Sequence, residues 1–96
     1  MIEHDPALEE GLRLDRWLFQ ARFVKSRALA ARLVEKRRVR INQTLVTKTH
    51  YRVRPGDVLT FPQGARIRVV RVLAMGARRG PAVEARTLYE DIDDPG

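Results

Sequence analysis

The sequence has no cysteine and only one serine, Ser26. Without cysteine there are no disulfide staples and no thiolate metal sites. With a lone serine that suits a helix start, no Ser-His-Asp set can be built. Histidine is scarce: His4 and His50 stand apart, with no acids at metal-ligand spacing, so neither a metal nor a cofactor is expected. No glycine-rich phosphate loop occurs, and the chain reads as non-enzymatic. No apolar run approaches the roughly 20 residues that cross a bilayer, and the N-terminus is acidic rather than signal-like. A cytoplasmic protein with no membrane partner is therefore expected. At 96 residues there is room for one domain with one modest core.

What the chain does have is positive charge, unevenly placed. The formal net charge of +7 divides into −4 over residues 1–11, +11 over 12–54, +4 over 55–80 and −4 over 81–96. A surface built for solubility mixes the signs. Segregation of this kind suggests a polyanionic partner facing the middle of the chain, with the acidic ends outside the contact. Arginine outnumbers lysine 16 to 3, which favours forked phosphate contacts and stacking on bases.

From Arg13 the apolar spacing turns helical. Leu14, Trp17, Leu18 and Ala21 fall on one stripe of a helix over about 14–22, with Arg13, Arg16 and Gln20 on a neighbouring polar face. Trp17 reads as core before base stacking, and Phe19, off the stripe, as packing beneath a sheet before stacking on a base. Ser26 is the expected N-cap of a second helix over about 27–36, whose apolar face is Leu29, Ala30, Leu33 and Val34. Arg32 and Lys36, four apart, share another side of it. Two such helices with a short link pack as an αα-hairpin or a helix-turn-helix unit. Beyond Arg38 the period becomes two, through Val39, Ile41 and Leu45, with a turn at Asn42-Gln43. Pro55-Gly56-Asp57 is a second turn, followed by a strand over about 58–61 and a β-rich run over 67–73. Residues 76–81 form a loop, and 83–89 read as a last strand or a short helix, the strand being the preferred reading. The fold class is α+β, with two helices packed on a small, mostly antiparallel sheet in a single domain. Its parts are a flexible acidic arm over 1–11, a helical motif over 12–62, a β-rich extension of the same domain over 63–92, and a tail over 93–96.

Several segments in order carry a family resemblance: Arg13-Leu14-Asp15-Arg16-Trp17-Leu18, Ser26-Arg27-Ala28-Leu29-Ala30, Leu33-Val34-Glu35, Val39-Arg40-Ile41-Asn42 and Pro55-Gly56-Asp57-Val58-Leu59. Together they resemble the alpha-L RNA-binding motif, named from ribosomal small-subunit protein four. Arg78-Arg79-Gly80-Pro81-Ala82, Glu84-Ala85 and Leu88-Tyr89-Glu90 resemble the tail of the heat-shock protein fifteen group. The resemblance implies a non-catalytic RNA-binding protein. It would bind the large ribosomal subunit, notably one holding a stalled nascent chain on transfer RNA, and assist recycling or quality control. The motif usually has glycine where Arg37 stands, and Asn-Gly where this chain has Asn42-Gln43. A side chain at the first position costs on the order of 1 kcal/mol if φ is positive, and the second makes a type I′ turn less favoured.

Phosphates need cations on a rigid frame. The RNA-facing residues expected from these cations together with the resemblance are Arg13, Leu14, Arg16, Lys25, Ser26, Arg27, Arg32, Lys36, Arg37, Arg38, Arg40, Asn42 and Lys48. The expected partner is structured RNA bound by a monomer, and the resemblance implies ribosomal RNA of the large subunit and peptidyl transfer RNA. Asp15, without a companion carboxylate or histidine, is expected to favour the start of helix one or to pair with a neighbouring arginine. A DNA-binding regulator of helix-turn-helix type is the alternative, although the polar face of helix two has no Asn or Gln to read adenine. The other alternative is the RNA-docking subunit of an RNA-modifying enzyme.

Overall fold

A computed structural model describes residues 11–92 of the chain. The acidic arm, apart from Gly11, and the tail lie outside the described residues. Gly11 is already part of the fold. It is buried, with φ +74°, and a Cβ there would sit 2.3 Å from the Val53 carbonyl oxygen. Only glycine tolerates both the sign of φ and that approach. The contact seats β1 (Leu12–Arg13) antiparallel to β4 (Arg52–Val53), a two-stranded pairing that no periodicity had indicated.

Helix α1 spans Leu14–Gln20, two residues shorter than the spacing predicted. The Arg22 N–H donates to the Phe19 carbonyl at 3.1 Å and the Phe23 N–H to Leu18 at 3.0 Å, with Arg22 at φ +65°. This is a Schellman ending, which satisfies the last carbonyls by turning one residue left-handed. Helix α2 spans Arg27–Glu35. Ser26 caps it as expected, its Oγ accepting from the Leu29 N–H at 3.2 Å. Its far end repeats the same device: Arg37 lies at φ +60°, and the Arg37 and Arg38 N–H groups donate to Val34 and Leu33. Both helices therefore end on an arginine where glycine is the usual residue.

The main sheet runs β3-β2-β5-β6-β7, antiparallel throughout, with β2 (Arg40–Ile41), β3 (Thr44–Leu45), β5 (Val58–Gln63), β6 (Arg66–Val72) and β7 (Tyr89–Asp91). Asn42 and Gln43 at φ +50° and +71° make the β2–β3 connection a type I′ turn, so the hairpin closes without the usual glycine. The expectation of one strand over 83–89 is corrected. Ala82–Ala85 form helix α3, Arg86–Leu88 a 3-10 turn, and of residues 83–89 only Tyr89 is strand, the first residue of β7, which pairs with β6.

The core lies between the helices and one face of the sheet. Leu14, Trp17, Leu18, Val34, Val39, Leu59, Phe61, Val70 and Val72 are buried there, each contributing about 1.5–3 kcal/mol by leaving water. Trp17 packs in it as expected, and its Nε1 donates to the Ala74 carbonyl at 2.8 Å. Leu29 does not belong to the buried face of α2. It is 41% exposed, whereas Ala30 and Val34 are buried and Leu33 packs against the core from its edge.

Candidate nucleic-acid interface

Asp15 is the centre of the most ordered charge cluster. It sits in the first turn of α1 and is only 5% exposed. Its carboxylate accepts from Arg13 Nε at 3.2 Å and Nη2 at 3.1 Å, from the Arg16 backbone N–H at 2.8 Å, and from Arg27 Nη2 at 3.4 Å. One buried acid thus holds together an arginine from the start of α1 and another from the start of α2. Both arginine side chains remain near half exposed, at 43% and 47%. Each keeps donors beyond those given to Asp15, since a guanidinium has five. Ser26 and Lys25 adjoin Arg27, so hydroxyl, ammonium and guanidinium groups meet at the N-terminal end of α2, where the helix dipole also favours an anion.

A second cluster lies at the other end of α2. Arg37, Arg38 and Arg40 line a groove of about 240 Å³ with Thr60, Pro62 and Ile67 from the outer face of the sheet. The left-handed turn at Arg37 carries the chain abruptly from helix to strand, which brings these arginines to one side. Nine residues of helix at about 1.5 Å each separate the two clusters, a spacing of about 14 Å. Arg32 and Lys36 share the exposed crest of the same helix.

The remaining expected residues fall elsewhere. Arg16 is exposed, but its Nε donates to Gln20, which in turn donates to the carbonyls of Met75 and Gly76, so it is held to the loop side of α1. Leu14 is a correction: it is fully buried, its spacing on the apolar stripe commits it to the core, and it presents no side chain to a ligand. Asn42 works within the fold. Its Oδ1 accepts from the Val58 N–H at 2.9 Å and its Nδ2 donates to Asp57 at 3.1 Å, joining the hairpin to the Pro55-Gly56-Asp57 turn. Lys48 is exposed on the lip of a separate cleft. Among the described residues, Lys25, Arg32, Lys36, Arg37, Arg38 and Lys48 pair with no carboxylate.

Several basic residues that the sequence did not single out are structural. Arg79 lies over the Phe19 ring at 4.7 Å and donates to the Phe19 carbonyl, so Phe19 packs under an arginine rather than under the sheet. Arg22 Nε reaches the Gly80 carbonyl at 2.6 Å. Arg68 sits over Phe23 and pairs with Asp91. Burial pulls the Arg68 pKa down, and the bonds and charges of Asp91 and Tyr89 more than offset that, so the net direction is upward. Arg52 was missed by the sequence reading and is placed directly opposite Arg13 across β1–β4. The available signal was its alternation around Val53.

Among the described residues no three His, Cys, Asp or Glu side chains group to hold a metal, and no helix is long and apolar enough to cross a membrane.

Comparison with known proteins agrees with this architecture. Residues 12–59 match the S4 domain family. Heat shock protein 15 of Escherichia coli K12 is 41% identical over 94% of the chain, which spans 65% of that protein's length. Small ribosomal subunit protein uS4 of Pseudomonas putida is 31% identical over 84% of the chain and 38% of its own. A solved structure of Vibrio cholerae heat shock protein 15, described as trimeric, superposes with a TM-score of 0.80 at 35% identity, covering 86% of this chain and 83% of that one. Matching helices, sheet and sequence together, the chain belongs to the S4 domain family, in its heat shock protein 15 branch.

Proposed function

We propose that this protein is a non-catalytic RNA-binding factor that docks on structured ribosomal RNA. In this reading its target is a large ribosomal subunit carrying a stalled nascent chain on transfer RNA, and its role is recycling or quality control in the cytoplasm. The observation that carries the proposal is the Asp15-held pair of Arg13 and Arg27. It presents forked donors on two packed helices, about 14 Å along α2 from the arginine groove at Arg37–Arg40. A-form RNA is recognised by backbone shape and 2′-hydroxyls, which suits a surface rich in arginine and poor in base-reading amides. Membership of a family that includes a small-subunit ribosomal protein supports a ribosomal target. Each RNA site would take one copy of the chain, acting as a monomer, and light scattering of the free protein checks that stoichiometry.

The test is crosslinking in cells followed by sequencing of the bound RNA. Large-subunit ribosomal RNA is the expected product. Arg27→Ala and Arg38→Ala should each weaken RNA binding without unfolding the protein. Retained affinity in both variants would displace the surface from α2, and recovery of duplex DNA in preference to RNA would reverse the assignment.

A further inference from the structure

Away from the helices, the segment 46–51 between β3 and β4 arches over a half-open cleft of about 620 Å³. Its floor is apolar, formed by buried Ile41 and Val46. Lys48, His50 and Arg52 stand around it, and no carboxylate lines it. Tyr51 lines it too, and is 41% exposed, with no hydrogen-bond or ring partner recorded for its side chain among the described residues. An exposed tyrosine is ordinary, but this one is mounted on a fixed frame. Its carbonyl accepts from the Leu14 N–H at 2.8 Å, and its own N–H donates to the Lys48 carbonyl at 3.1 Å.

We infer that this cleft takes a single unstacked nucleotide of the bound RNA, its base against Tyr51 and its phosphate among Lys48, His50 and Arg52. The inference rests on the RNA-binding reading and deepens it. The volume fits a small ligand and excludes a duplex. Apolar floor, aromatic face and cationic rim are the features that hold a splayed base and its backbone. Thr44 and Thr47 add hydroxyls for a base edge or a 2′-hydroxyl. Continuity with the helical surface gives the site its register: Arg52 pairs across the strands with Arg13, the arginine bound to Asp15. A strand whose paired backbone crosses Arg13 and Arg27 would thus reach the cleft at its next unpaired residue.

The experiment compares a fully paired RNA hairpin with the same hairpin carrying one bulged adenosine. The unmodified protein should prefer the bulged form by about tenfold, the scale of one base–aromatic stack. Tyr51→Ala should abolish that preference while leaving affinity for the paired hairpin unchanged, and Tyr51→Phe should keep it. In parallel, adenosine monophosphate added to the isotopically labelled unmodified protein should shift amide resonances over 44–52, more than inorganic phosphate does. This titration decides the matter if Tyr51→Ala fails to melt cooperatively. Equal affinity for both hairpins, or equal shifts from phosphate alone, would overturn the nucleotide site and leave the proposed function standing. Binding of neither hairpin would overturn both.

Discussion

At Asp15 a single buried negative charge orders two arginines of the candidate anion-binding surface. Free arginine side chains must be ordered when they meet a phosphate, at a cost of about 0.5–1.5 kcal/mol each. Asp15 meets part of that cost in the folded protein, by fixing Arg13 through two hydrogen bonds and Arg27 through one. Its burial beneath the two guanidinium groups also keeps its own charge away from an incoming ligand. Asp15→Asn therefore separates two views of the surface. If only net charge mattered, removing an acid would tighten RNA binding. If preorganisation dominates, affinity should fall by about tenfold even though the protein becomes more positive. Fluorescence anisotropy with a labelled hairpin measures the sign directly, and tighter binding would refute the positioning role. Stability should drop by only about 1 kcal/mol, because the arginine side of both ion pairs is near half exposed to solvent, although Asp15 itself is buried.

At the scale of the elements, the helix ends are where local preference and function conflict. Arg22 and Arg37 occupy left-handed positions that glycine fills at less cost. For Arg22 the fold offers compensation through its bond to the Gly80 carbonyl. The Arg37 side chain has no hydrogen-bond or ion-pair partner among the described residues and instead lines the groove with Arg38 and Arg40. Arg37→Gly should therefore stabilise the protein by about 1 kcal/mol in chemical denaturation while weakening RNA binding. A gain in stability with affinity unchanged would show that the groove does not use this cation. The same elements show what the sequence made legible. The stripe Leu14, Trp17, Leu18 and Ala21, the Ser26 cap and the alternation into β2 are local signals, and each appears in the fold. The β1–β4 pairing joins two-residue strands about forty positions apart, too short to leave a period, and it was invisible. Residues 82–91 change conformation twice within ten residues, so neither helical nor strand spacing has room to develop. Within the site, the arginines on α2 were readable from their clustering. Leu14 was not separable from its charged neighbours because motif adjacency does not say which way a side chain points, and Tyr51 gave no signal because its role comes from a cleft.

For the molecule as a whole, the segregated charge along the chain becomes a pair of arginine clusters linked by one helix, while several other arginines are taken up by internal partners. Arg68 and Arg71 pair with Asp91 and Glu90 on β7, and Arg78 pairs with Glu84, so the acidic C-terminal stretch neutralises part of the sheet rather than the α2 surface. The net charge of +7 thus overstates neither the sign nor the place of the field, but it says little about how many phosphates are engaged. Salt dependence supplies that number. Contacts by Arg13, Arg27, Arg37, Arg38 and Arg40 would release about five condensed counterions, giving a slope of about −4 in log affinity against log salt. Raising salt from about 50 to 200 mM should then weaken binding by about two orders of magnitude. Arg27→Ala should reduce the steepness by about one, whereas Tyr51→Ala should lower affinity for a bulged RNA with the slope unchanged, since stacking releases no ions. A slope near −1 for the unmodified protein would mean that the two clusters do not act on one backbone, however favourable each looks alone.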